Sequence, residues 1–393
     1  MIAGGPRSPF VAPSPSHRLG GRADHGGNAN SSNRNPPRSC VANGFPHNAA
    51  SAARYQRCRV RSSHGTCGSP SPIAEAGTPT QPGPVSMKTA ILCAGHAQPH
   101  AGWVAIDEFA DLLVHYLGAA LLSPRRKREG WVRRAIGDQR QRYETLPSGG
   151  ADVLVVVAHS PADLALIETI PDCRRKFARI HAWVTDSYFH AGFPRATAAY
   201  DSITVTAHED VEFVRTRFGI PVHHLYQGAD CLTWAPRCPM RREIDLIGYG
   251  RIPPSYHDRF KSVFHAVDSP HLYLHSPLGS ITGPGVHAER GMLFKLLQRT
   301  RRSLAFHLYV EPQGDRPRSM MVTSRWLESL LSGCIVAGKR PTSRMADEML
   351  DWPGATVELS DDPRQASEEL RDLFSRDEEL VAQRRSNIRH MLQ

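Results

Sequence analysis

The sequence predicts an α/β protein made of two Rossmann-like domains in series, facing each other across a cleft. Three observations predict this. From residue 87 onward, short apolar runs alternate with segments of helical periodicity, the pattern of parallel strands joined by crossover helices. The alternation breaks once, at Ala235-Pro-Arg-Cys-Pro-Met-Arg-Arg242, whose prolines and charges mark a linker, and then restarts. A chain of 393 residues has room for two such units, each with its own core.

Residues 1–86 stand apart. They are dominated by Gly, Pro, Ser, Asn and Arg, without apolar periodicity, and cannot bury enough surface to offset their chain entropy. A disordered tail is expected there. It is Arg-rich and acid-poor like an organelle transit peptide but lacks an amphipathic helix. A translation start at Met87, directly before a strand-like run, is the second reading of the same boundary.

The first domain is expected over 87–235. Thr89 to Cys93 reads as a strand, followed by the loop Ala94–Gly102 and a helix from Ile106 to Leu122. Val153 to Ala158 (V-L-V-V-V-A) is the clearest strand and ends at His159-Ser160. A helix over Pro161–Ile170 follows, then strands over Ile180–Val184 and Ser202–Thr206, a helix over Glu209–Phe218 and a strand over Val222–Tyr226. The second domain, 243–393, opens with Ile244-Asp-Leu-Ile-Gly248 and the loop Tyr249-Gly-Arg251. A helix near Tyr256–Phe264, a strand around Leu272–Leu274, a helix over His287–Gln298 and a strand over Ser303–His307 come next. Beyond a Pro/Gly/Asp loop at 311–318, a helix and a strand fill Thr323 to Gly338. A helix near Met345, a strand over Thr356–Leu359 and two charged helices complete the chain.

Charge and cysteine usage narrow the function classes. The formal charge is +10, but residues 1–86 carry nine Arg against one Asp and one Glu, a balance of +7 that leaves only +3 for the rest. No zinc-finger, RNA-binding or basic-zipper pattern occurs, so no nucleic-acid partner is expected. The eight cysteines include no Cys-x-x-Cys pair, which argues against a disulfide framework or a metal cluster and for a reducing, cytoplasmic setting. No stretch approaches the roughly 20 apolar residues of a membrane span. The basic run Arg125–Arg134 with its single Trp131 suits peripheral contact with anionic lipid or a phosphorylated acceptor, and equally a solvated surface.

Thr323-Ser-Arg-Trp-Leu-Glu-Ser-Leu-Leu-Ser-Gly-Cys-Ile-Val-Ala-Gly338 is the most informative stretch. Trp326, Leu327, Leu330 and Leu331 share one helical face, Thr323 or Ser324 suits the N-cap, and Gly333 suits the left-handed stop. Arg325 lies in the first turn, where free N–H groups and the dipole already attract an anion. Glu328 lies one step further along. The pair fits a nucleotide, guanidinium to diphosphate and carboxylate to ribose; it also fits a surface i,i+3 ion pair.

Three passages resemble GT-B glycosyltransferases, in particular the bacterial group 1 and spore-protein-like glycosyltransferases. Gln227-Gly-Ala-Asp-Cys-Leu-Thr-Trp-Ala-Pro236 resembles the family's G-[VA]-D-x-x-x-[FW]-x-P passage, which closes the first domain. Ile244-Asp-Leu-Ile-Gly-Tyr-Gly-Arg251 resembles the strand and glycine loop that open the second. Thr323 to Gly338 resembles its donor-site helix and following strand. The resemblance spans roughly 87–393 in order and spacing. It implies transfer of a sugar from a nucleotide-sugar co-substrate, with no cofactor, to a carbohydrate, lipid or protein acceptor.

Carried over by position, Glu328 matches the second glutamate of the family's Glu-x7-Glu element, which binds the donor ribose. Arg251 matches the basic residue that approaches the diphosphate; Gly250, Ser324 and Arg325 complete the expected donor set. No Asp-x-Asp motif is present, so metal-independent transfer is expected and no metal ligands are assigned. The acceptor side is expected near His96, His159 and Asp186, with Asp186 as base, although Asp186 also suits a turn or helix cap and a lone histidine also suits a structural role. Two positions depart from the pattern: Met320 stands where the first glutamate belongs, and Thr185 where a histidine often precedes the acid. These departures raise the alternative of a catalytically inactive nucleotide-sugar-binding or assembly protein on the same fold. The chain also ends at Gln393, earlier than the resemblance implies, so a shortened C-terminus is expected.

Overall fold

The computed structural model describes residues 87–127, 143–147, 149–276, 282–283, 285–310 and 320–393. The expected tail over 1–86, most of the basic run 125–134 and the loop at 311–318 lie outside the described residues.

Among these residues the strands form two sheets. The first contains β1 (Thr89–Leu92), β2 (Ala120–Leu122), β3 (Ala151–Ala158), β4 (Phe177–Val184), β5 (Ser202–Val205) and β6 (Val222–His224), in the order β2-β1-β3-β4-β5-β6. The second contains β7 (Ile244–Tyr249), β8 (Tyr273–Ser276), β9 (Thr300–Phe306), β10 (Ile335–Lys339) and β11 (Val357–Glu358), in the order β11-β10-β9-β7-β8. Every pairing in both is parallel. Counted from its own first strand, each sheet places the second strand on one side and the later ones on the other. That is a doubly wound order with a switch point beside the first strand. The fold class is therefore α/β with two Rossmann-like halves, as the alternation predicts.

The helices α1 (Val104–Leu117), α2 (Val211–Phe218), α3 (Pro254–Phe264), α4 (Val286–Gln298), α5 (Ser324–Leu331), α6 (Arg344–Met349), α7 (Pro363–Ser375) and α8 (Val381–Met391) cover these sheets. Strand residues alternate between faces. In β1 and the residue after it, Ala90 and Leu92 join the core on one side while Ile91 and Cys93 pack toward α1. In β9 and β10, Leu304 and Ile335 face α3 and α7, whereas Ala305 and Val336 face α5 and α6. Burial on both faces is why these strands read as continuous apolar runs. Among the described residues no helix is long and apolar enough to cross a membrane.

Two elements differ from expectation. The helix expected to reach Leu122 stops at Leu117, because Gly118 takes a left-handed φ of 59° and the N–H groups of Gly118 and Ala119 close on the Val114 carbonyl. Ala120–Leu122 then pairs with β1 as an edge strand. Pro161–Thr169 forms 3-10 turns rather than an α-helix. The halves also meet directly. Ala207 packs with Met321 and Val322, and the thiol of Cys231 donates to the Met391 carbonyl at 3.1 Å.

Gly333 closes α5 in the left-handed region with φ 75°, and a Cβ there would lie 2.7 Å from Arg242 Nη2 and 2.8 Å from Ile388 Cδ1. A Cβ on Gly118 would meet nothing within 4 Å. Gly118→Ala is therefore expected to lose about 1 kcal/mol from backbone strain alone. Gly333→Ala adds a clash of roughly 1–3 kcal/mol. Urea unfolding of the two variants, side by side, checks the difference.

Candidate functional site

Ligands of open parallel sheets bind beyond the carboxyl ends of the strands, at the switch point. In the second sheet this is the gap between β7 and β9. β7 runs into Gly250, which turns with φ 67°, and then into Arg251. A cavity of about 310 Å³ opens here between the halves. Gly250, Arg251, Ser324, Arg325 and Glu328 line it from the second half, and Gly102 and Ala105 from the first. All five residues expected on the donor side thus line one cavity.

The two charges of α5 do not form the surface ion pair that spacing allows. Arg325 and Glu328 are both buried, and each has other partners. Arg325 donates through Nη1 to the Arg251 carbonyl, through Nη2 to the Phe306 carbonyl at 3.1 Å and through Nε to Thr323 Oγ1 at 3.3 Å. Burial pulls its pKa down to about 10, and neighbouring Arg251 acts in the same direction. Its hydrogen bonds go to neutral oxygens, so its charge is available to an anion in the cavity.

Glu328 is the end of a buried chain of charges. Its Oε1 accepts from Arg290 Nη1 at 2.5 Å, and Oε2 accepts from the Tyr249 hydroxyl at 3.1 Å. Arg290, on α4, also donates from Nε and Nη2 to the two oxygens of Glu108 on α1, at 3.1 and 2.9 Å. Trp234 Nε1 donates to Glu108 at 3.2 Å, while its ring stacks on Phe294, itself under the Arg290 guanidinium. Burial works against the charge on Arg290, yet Glu328 and Glu108 together raise its pKa. Burial pushes the Glu108 carboxyl up, with Arg290 opposing. All three passages that carry the family resemblance meet in this network: Trp234 from the first, Tyr249 from the second and Glu328 from the third.

Arg290 and Glu108 are not found by sequence reasoning. The signal present was modest. Arg290 stands four residues after Val286 and three before Leu293, inside the apolar stripe of α4, where an unpartnered cation is not tolerated.

A second cavity of about 240 Å³ adjoins the first and shares Gly102, Ala105, Arg251, Thr323 and Ser324 with it. Asp186 lines this one, together with Thr185 and Tyr188. Asp186 sits beyond the end of β4 with φ 49°, a left-handed conformation that Asp tolerates better than most residues. Its carbonyl accepts from Phe189 N–H at 3.1 Å, so it is a turn residue as well. Burial raises its carboxyl pKa to about 6, opposed by a Tyr188 hydrogen bond and by the charge of Arg251. Thr185 Oγ1 is buried beside it without a hydrogen-bond partner.

His159 and His96 do not join Asp186. Both line a third cavity of about 850 Å³ at the switch point of the first sheet. Trp103, which lines this cavity and the Asp186 cavity, lies stacked on His159 at 5.2 Å. His159 Nε2 pairs with Asp107 at 2.8 Å and His96 Nε2 with Asp111 at 2.7 Å, both carboxylates from α1. His190, the other nearby histidine, pairs with Asp210 and stacks on Phe213. Met320 lines none of these cavities. Its carbonyl accepts from Ser343, and it borders a separate hollow with Asp210 and Met345.

No family model matches the chain, and no curated protein matches it. Solved structures similar to it include TarM, at 9% identity and TM-score 0.37 over 61% of this chain and 51% of that one. The pneumococcal O-GlcNAc transferase GtfA, solved with UDP and GlcNAc, is 12% identical with TM-score 0.35 over 61% and 53%. Anabaena HepE, solved with UDP and glucose, is 9% identical with TM-score 0.40 over 78% and 98%. The chain spans about half the length of the first two.

Arg290 is the cation between the buried Glu328 and the partly buried Glu108, and its loss leaves both uncompensated. Arg290→Ala is expected to lose roughly 3–5 kcal/mol of stability. Arg215→Ala, which breaks an exposed pair with Glu212, is expected to lose no more than about 1 kcal/mol. Chemical denaturation of both variants measures the contrast.

Proposed function

We propose that the chain is a glycosyltransferase that moves a sugar from a nucleotide-sugar donor to an acceptor hydroxyl. The observation that carries this reading is the shared lining of one inter-half cavity by Glu328, Arg325, Arg251, Gly250 and Ser324, beside a second cavity holding an acid. The donor's leaving group is a nucleoside diphosphate. Arg325, Arg251 and the N-terminus of α5 lie where fixed cations and N–H dipoles would stabilise the charge that develops as the glycosidic bond breaks. A carboxylate has about four acceptor sites. Glu328 spends two on Arg290 and Tyr249, leaving acceptors for a ribose diol.

Asp186 is the base in this reading. It would take the acceptor hydroxyl's proton as the oxygen attacks the anomeric carbon, from a cavity continuous with the diphosphate cradle. Transfer is metal-independent in this proposal, with Arg325 and Arg251 doing the work of a cation. Closure of the halves around the substrates excludes water and favours transfer over hydrolysis. A cytoplasmic location belongs to the same proposal and is supported by the free cysteines Cys93, Cys173, Cys231, Cys238 and Cys334.

Met320 and Thr185 favour a second reading, a nucleotide-sugar-binding protein without turnover. Incubation with a panel of nucleotide sugars and simple acceptors separates the two. Glycosyl transfer or slow donor hydrolysis supports the enzyme; saturable binding without either, under every acceptor, contradicts it.

The pH dependence follows from Asp186. Its ionised form is the base, so the rate is expected to rise with pH through about 6 and then level. Asp186→Asn is expected to lower kcat by roughly 100-fold or more and to abolish that acid limb. Stability runs the other way. A carboxyl raised above its unfolded value favours folding while protonated, so its contribution is complete below about pH 4 and is lost as pH rises through 6. A pH–rate profile and a pH–stability profile of the same two proteins check both signs.

A further inference from the structure

At the switch point of the first sheet, the ends of β1 and β3 meet the first turn of α1. Cys93, Asp107 and His159 each bring one donor atom there, all within 4.8 Å of one another. Cys93 Sγ lies 3.5 Å from Asp107 Oδ1, and His159 Nε2 lies 2.8 Å from the same oxygen. Asp107 is 0% exposed, and its Oδ2 has no hydrogen-bond partner. A buried carboxylate oxygen without a donor is costly to keep. The backbone closes tightly over the group: a Cβ on Gly95 would fall 1.7 Å from Asp107 Oδ1.

We infer that Cys93, Asp107 and His159 form a binding site for a zinc-type divalent cation. Thiolate, carboxylate and imidazole are the donors zinc takes, and three protein ligands with one further position is a common arrangement. Tetrahedral bonds of about 2.0–2.3 Å place neighbouring donor atoms roughly 3.3–3.6 Å apart. The sulfur–oxygen spacing already has this value, and the nitrogen–oxygen spacing needs to open by about 0.5 Å. The unpartnered Oδ2 gives the carboxylate a second oxygen to offer. Of the three donors, His159 also lines the cavity that Gly95 and His96 border.

The surroundings of His159 fit the same assignment. Its Nδ1 lies 3.8 Å from Asp163 Oδ2, and that oxygen is itself held by the His159 N–H at 3.0 Å. A carboxylate behind a metal-bound imidazole fixes its tautomer and orientation. On metal entry the Cys93 thiol proton leaves to solvent. The imidazole proton that Nε2 donates to Asp107 moves to Nδ1, toward Asp163, which frees the Nε2 lone pair for the metal. The ion would pin β1, β3 and α1 together beneath the loop that carries Gly102 and Trp103 to the cleft. It touches neither Glu328 nor Asp186, so this inference stands independently of glycosyl transfer and of the metal-independent chemistry proposed there.

The test uses the full chain, stripped with a chelator and titrated with Co²⁺ and Zn²⁺. One equivalent of Co²⁺ with a near-ultraviolet thiolate-to-cobalt band is expected. The band should be lost in Cys93→Ser and kept in Cys238→Ser, whose thiol is exposed. Zn²⁺ should raise the thermal midpoint of the parent but not of Asp107→Asn, a near-isosteric change that serves alone if Cys93→Ser does not fold. The inference is overturned if the parent binds neither ion saturably. It is equally overturned if the cobalt band survives in Cys93→Ser, or if Asp107→Asn keeps the full zinc shift.

Discussion

Glu108, Arg290 and Glu328 form an ion triad that crosses from one half of the protein to the other. Arg290 is 5% exposed and Glu328 2%, so each charge has given up most of its hydration. Such a cost is offset only where the geometry is good and further hydrogen bonds support the charges. Here they do. Arg290 donates from all three nitrogens, Tyr249 and Trp234 donate to the two carboxylates, and Phe294 covers the guanidinium. The consequence is positional. Glu328 is held away from solvent, and α5 cannot shift without disturbing Arg290 on α4, which in turn holds Glu108 on α1. The triad therefore fixes both the carboxylate and the width of the gap beside it.

Topology explains why the cavities lie where they do. Each sheet has a switch point beside its first strand, and there the loops diverge to opposite faces and leave a crevice. The second sheet's crevice holds the two arginines and Glu328. The first sheet's crevice holds His96 and His159, and the fully buried Cys93 and Asp107 contact His159 or one another. The loop from Gly95 to Trp103 reaches from one to the other, held at its middle by the Gly283 N–H donating to the Pro99 carbonyl. The two halves therefore present different chemistry at equivalent places: Arg251, Arg325 and Glu328 in one, His96, His159 and Asp163 in the other.

Much of this was legible in the amino acids. The strands were, because burial on both faces writes an uninterrupted apolar run such as Val153–Ala158. The end of α5 was, because Gly333 answers a backbone requirement that few residues meet. Ala120–Leu122 was not, since three apolar residues after a helix continue its periodicity equally well. Glu328, Arg325 and Arg251 are expected together from motif and helix position, and they line one cavity. His159 and His96 are expected beside Asp186 because all three lie in loops that follow strands of the first half. They part from it because Asp107 and Asp111, on a helix after β1, capture them across the sheet's end. Partnerships of that kind join residues 15 to 52 positions apart, and no local pattern encodes them. Arg290 was hidden for the same reason, its carboxylates lying on two other helices.

The central claim is that the gap beside the ion triad holds a nucleoside diphosphate by its ribose and phosphates. Calorimetric titration of uridine, guanosine, adenosine and thymidine diphosphates into the parent and into Glu328→Gln tests it most directly. Glutamine keeps the volume of the side chain while removing the charge that grips the diol. The account predicts saturable binding of at least one of the four to the parent, weakened by roughly tenfold or more in the variant, in line with a charged hydrogen bond worth about 1.5–3 kcal/mol. Equal affinity in the two proteins, or no binding of any of the four by the parent, would contradict it.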